Sequence, residues 1–299
     1  MPDPFARKTY LHAVPDPLVP VRFSVGKRVR ALQLQTFFKG LETTAGEFLG
    51  QSEGLELIVL TPSDWRRQLS APYGWGLTRR TEAGVSVALP AGYPPRLVAR
   101  WDAVRLRAGR TGIRAPGSVP AFLDALLGLE WAHARLLLEM PAKRPKAWLR
   151  ELSACYLYQR VLQSGNDTYM LDVLKAWARL EQAGAEEPAS KELNLEEPAS
   201  KEPVSKESVS KESGTKETHT DESVSQAFDR YDTDNAAAPP SLQDFLYPRG
   251  RMQLPRLLAI QGALWLEAAA LAEREGWNLS SADVQRLGKE LVRSRLAPL

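Results

Sequence analysis

Apolar positions change their spacing along the chain, and the change separates an early part of short runs from a later part of long stripes. Val19 to Val25 reads as a strand, and Leu55-Glu56-Leu57-Ile58-Val59-Leu60 as a second one, ended by Thr61-Pro62. Gly84-Val85-Ser86-Val87-Ala88-Leu89-Pro90 alternates as a third. From about Arg28 to Gly50, residues Ala31, Leu32, Leu34, Phe37, Phe38, Leu41 and Phe48 recur at helical spacing, which predicts a helix. Ser63-Asp64 reads as the start of a shorter helix holding Trp65 and Leu69, and Pro72 to Gly76 as a turn. With residues 1–20 extended and broken by prolines, the order is β-α-β-α-β.

After residue 118 almost everything reads helical, including Leu254 to Glu275 and Ser281 to Arg295 around the turn Gly276-Trp277-Asn278. Strands first and helices later predict an α+β fold, an N-terminal mixed sheet with helices followed by a mainly helical C-terminal half. Residues 184–225 differ in kind. Glu186-Glu187-Pro188-Ala189-Ser190-Lys191-Glu192 recurs from Glu196 to Glu202, and Lys201, Lys206, Lys211 and Lys216 then mark a short repeat. With almost no large apolar side chain, such a stretch cannot bury enough surface to offset the entropy of ordering it, so it predicts a disordered insertion acting as a solvated spacer. The expected organisation is an α+β domain at 1–183, the Lys/Glu/Ser repeat at 184–225, and a helical subdomain at 226–299 that packs on the first, with order resuming near Phe228.

The helix through residues 120–140 carries the candidate chemistry. On a helical wheel, Phe122, Leu126, Leu129, His133, Leu136 and Leu137 share one stripe and Glu130 borders it, whereas Asp124, Arg135 and Glu139 fall opposite. An inward Glu and His need a partner, a shifted protonation state or a cleft. The next helix offers Glu151 on the stripe of Trp148, Cys155 and Leu162. Two carboxylates and an imidazole converging between helices suit a metal site, and equally a buried cluster that fixes helix pairing.

Leu129-Glu130-Trp131-Ala132-His133, followed by Trp148-Leu149-Arg150-Glu151-Leu152-Ser153-Ala154-Cys155-Tyr156 and preceded by Ala88-Leu89-Pro90, resembles the gluzincin branch of zinc metallopeptidases, in the peptidase-MA-like group. The resemblance spans roughly residues 20–180 and implies a zincin-like fold, with the helices after 228 suiting the family's C-terminal subdomain. It implies Glu130 as general base, His133 as second zinc ligand and Glu151 as third. Leu129 stands where the first His ligand of His-Glu-x-x-His belongs, and Leu152 where a Gly usually follows the third. Without zinc, Glu130 has no metal-bound water to deprotonate, and the hydrolytic route loses its nucleophile.

The resemblance therefore implies a catalytically degenerate metallopeptidase-like protein, non-hydrolytic, whose vestigial cleft serves binding or structure. No cofactor is expected, and zinc is the metal if any is retained. An active peptidase is the alternative, with a non-standard ligand such as His12; His219 lies in the repeat. A protein-interaction module is the third reading, with a peptide or protein partner.

Composition narrows these readings. The single cysteine, Cys155, excludes an internal disulfide and any cysteine-built metal site, and reads as a small core residue. No stretch approaches the roughly 20 apolar residues of a membrane helix, and the start shows no signal-peptide pattern, so a cytoplasmic location is expected. Residues 1–180 hold 25 Lys+Arg against 15 Asp+Glu, and residues 181–299 hold 14 against 21. The arginines of the basic part are scattered without interleaved aromatics, which argues against a nucleic-acid surface. A phosphate loop, a Gly-x-Ser-x-Gly elbow and a dinucleotide fingerprint are all missing from the sequence.

Overall fold

A computed structural model describes residues 11–69, 73–110, 118–139, 147–186 and 254–296. The elements in chain order are β1 (His12–Val14), β2 (Val21–Phe23), α1 (Arg28–Leu49), β3 (Leu55–Leu60), α2 (Pro62–Gln68), β4 (Leu77–Thr81), β5 (Gly84–Pro90), α3 (Pro95–Arg110), α4 (Val119–Leu126), α5 (Gly128–Glu139), α6 (Ala147–Ser164), α7 (Thr168–Glu186), α8 (Leu254–Glu275) and α9 (Ser281–Leu296). The fold is α+β, a mixed sheet followed by helices. The expected repeat from 187 onward and the resumption near Phe228 lie outside the described residues, and α7 itself runs to Glu186.

The sheet has the order β1-β2-β3-β5-β4. Its centre, β2-β3-β5, is parallel, and both edge strands run antiparallel to their neighbours. A parallel strand covered on both faces needs a continuous apolar run, which is why β3 and β5 stand out in sequence. Leu57, Val59, Val85, Val87 and Leu89 face the main core with Leu34 and Phe38 of α1. Ile58, Leu60 and Ala88 face the opposite side together with Leu77 of β4, where Trp65 of α2 packs on them. Thr61 caps α2 by accepting from the Asp64 amide, and Pro62 occupies the first turn, where its missing N–H costs nothing.

The structure corrects the expected β-α-β-α-β order. Two further strands, β1 and β4, form the sheet edges, and helix resumes at α3, earlier than residue 118. In β4 the sequence Leu-Thr-Arg-Arg-Thr has a single large apolar residue, so its strand character comes from pairing with β5 and not from its own pattern.

The helical half closes on the same core. Trp265, Ala268 and Leu271 of α8 join Tyr158 and Val161 of α6 and Leu174 and Trp177 of α7. Gly288 lets α9 approach α6: a Cβ there would stand 2.5 Å from Leu152 Cδ2. Among the described residues, no helix is long and apolar enough to cross a membrane.

Candidate functional site at the α5–α6 pair

Helix α5 is enclosed on every side. Every residue from Gly128 to Leu136 is buried, against β4 and β5 on one flank, α6 on another and α1 on a third. Its N-terminal end is locked by Gly128. A Cβ at that position would lie 2.1 Å from Tyr158 Cζ of α6, while the Tyr158 hydroxyl donates to the Ala125 carbonyl at 2.7 Å. Only glycine allows these helices so close an approach.

Of the three residues singled out from sequence, two meet directly. His133 Nε2 lies 2.9 Å from Glu151 Oε2, and both groups are buried between α5 and α6. The contact is a close charge pair, although the ring N–H does not point along a hydrogen-bond line to an acceptor. Glu130 turns toward the sheet: Oε2 accepts from Thr78 Oγ1 of β4 at 2.7 Å, and the same hydroxyl also reaches the Glu130 carbonyl at 3.1 Å. Gly76 makes room for that carboxylate, because a Cβ there would meet Glu130 Cγ at 2.5 Å. Leu129 is buried in the core one turn before His133.

Burial and neighbouring charge pull these groups in different directions. Burial raises Glu130 above the ordinary carboxylate range, against the opposing influence of His133 and Thr78. For His133, burial disfavours the charged ring, but the Glu151 carboxylate outweighs it and the net direction is upward. Glu151 is likewise penalised by burial, yet His133 beside it carries it below its usual range, helped by Arg150 and Gln261. The cluster is a buried His133–Glu151 pair with a second carboxyl, Glu130, raised by its burial, on the same helix as His133.

Sequence reasoning missed the other flank of α5. Arg135, opposite the apolar stripe on the wheel, is only 2% exposed. Arg135 Nη1 reaches Glu42 Oε2 of α1 at 3.4 Å, and Nη2 donates to the Gly50 carbonyl. Trp131 Nε1 and Ser52 Oγ each donate to the Glu42 carboxylate at 2.8 Å. The available signal was Glu42 itself, which falls on the buried stripe of Leu34, Gln35, Phe38, Leu41 and Ala45. Asp124 receives Arg30 of α1 bidentately, at 2.5 and 2.6 Å. A wheel sorts residues by face, but it does not reveal that a second helix covers the polar face.

The arrangement does not fit zinc. Ligands held about 2.0–2.2 Å from a tetrahedral metal stand roughly 3.3–3.6 Å from one another, with the metal between them. His133 and Glu151 are instead in direct contact, Glu130 is engaged by Thr78, and Leu129 offers no donor atom. Among the described residues, no group of three or more His, Cys, Asp or Glu side chains is arranged to hold a metal ion. His12 lies in β1, at the sheet edge away from β4, with its ring tilted against Phe23 at 5.7 Å. His219 lies outside the described residues, and Cys155 is buried, its thiol pushed well up by that burial. No family model, curated protein or solved structure matches the chain.

Proposed function

We propose that this chain is a catalytically degenerate, zincin-like metallopeptidase relative in which the former ligand helices now form a structural joint. The observation that carries the reading is the buried contact of 2.9 Å between His133 and Glu151 at the positions of the second and third ligands. The pair compensates its own charges where a metal would otherwise do so. Leu129 fills the first-ligand position with apolar volume, and Glu130 is tied to β4 through Thr78. The joint fastens sheet to helices, and its chemistry is packing and charge pairing, not hydrolysis.

The direct test is metal content and peptidase activity of the full chain purified without a histidine tag. Zinc far below one per chain and no chelator-sensitive hydrolysis of an unstructured protein substrate are expected. One zinc per chain with hydrolysis abolished by Glu130→Gln would overturn the reading and favour the active alternative.

A further inference from the structure

A cleft of about 240 Å³ opens where the ends of α1 and α5 meet α6 and the start of α9. Its lining is apolar on Phe48, Leu136, Leu157 and Val284, and polar on Arg160, Glu139 and Ser281. Arg160 is the feature that needs explanation. Its guanidinium lies over the Phe48 ring, 3.8 Å from the centroid, and among the described residues no carboxylate pairs with it. A partly buried cation held by an aromatic face, with no carboxylate paired to it among the described residues, is poised to receive an anion.

The second charge of the lining is accounted for. Glu139 Oε1 lies 3.3 Å from Arg135 Nε, so the acid is already engaged on the α5 side. The wall built from residues 276–280 is preformed, because Tyr156 Oη donates to the Gly276 carbonyl at 2.8 Å and accepts from the Leu279 amide at 3.1 Å. Pockets for drug-sized ligands run from about 300 to 1,000 Å³, so this cleft suits something smaller.

We propose that the cleft binds a monocarboxylate carrying a short apolar body, with Arg160 receiving the carboxylate and the leucine-lined floor receiving the body. Two sources share that chemistry, a free short-chain acid and the C-terminal residue of a peptide. The cleft shares no residue with Glu130, His133 and Glu151, and so stands apart from the metallopeptidase reading.

Ligand-observed NMR titration of the full chain tests the proposal with hexanoate, N-acetyl-leucine, 1-hexanol and acetate. Hexanoate or N-acetyl-leucine, or both, should bind with a dissociation constant on the order of 1 mM or tighter. The preferred one identifies the source, while hexanol lacks the charge and acetate the body, so both should bind about tenfold more weakly or worse. Arg160→Met keeps the stem on Phe48 and should lower affinity for the acid about tenfold without changing that for hexanol. Ser281→Trp, at the rim, should block every probe. Equal binding of hexanoate and hexanol, or an acid affinity that neither folded variant changes, would overturn the proposal.

Discussion

At the scale of single residues, packing and charge pairing define the α5–α6 joint. Leu129 contributes apolar volume to a helix whose residues from Gly128 to Leu136 are all buried. Leu152 packs against Gly288 on the facing helix, which leaves room for its side chain. His133 and Glu151 then stabilise each other as ions, which makes the fold pH-dependent. His133 is raised, so its contribution is complete below the unfolded imidazole value and is lost as pH rises through the folded one. Glu151 is lowered, so its contribution is present above the unfolded carboxylate value and is lost only as pH falls through the folded one. Glu130 is raised, so its neutral form favours the fold and this too is lost as pH rises. The melting temperature should therefore fall between about pH 6 and about pH 8, and His133→Gln should flatten that slope. A melting temperature that is constant or rising over this interval in the native chain would contradict the assignment.

At the scale of elements, legibility followed burial. The central strands β3 and β5 were readable to the residue because both of their faces are covered and, Glu56 and Ser86 apart, their large side chains are apolar. Helices α1, α8 and α9 were readable from their stripes. The edge strands were not, since β1 has three residues and β4 carries arginines, and each is a strand because its neighbour supplies hydrogen bonds. For the same reason Thr78 could not be linked to Glu130 from sequence. The α5–α6 contact itself depends on a glycine that no periodicity marks. Gly128→Ala would drive a methyl into the Tyr158 ring, whose hydroxyl is already committed, and should cost about 3 kcal/mol in chemical unfolding. A loss below about 0.5 kcal/mol would show that the helices are free to separate.

At the scale of the whole molecule, α5 is the axis around which the described parts are arranged. One flank joins β4 through Glu130 and α6 through His133; the other joins α1 through Trp131 and Arg135. A single hydrophobic core continues from the sheet into α8 and α9. Two buried charge clusters on opposite flanks of one helix give it a fixed rotation, because turning it would strand Glu42 or Glu151 without a partner. The sequence placed Glu130, His133 and Glu151 on inward-facing stripes, which anticipates one of these clusters. The other became visible only once α1 was placed across the polar face.

If α5 and α6 are zinc helices lacking one ligand, as we propose, restoring that ligand should restore metal binding. In Leu129→His the new imidazole stands one helical turn from His133, and separation of the His133–Glu151 pair would admit the metal. Zinc titration of the folded variant should show about one zinc per chain, bound at least about 100-fold more tightly than by the native chain, and His133→Ala in that background should abolish the gain. A folded Leu129→His variant that binds zinc no better than the native chain would contradict the account.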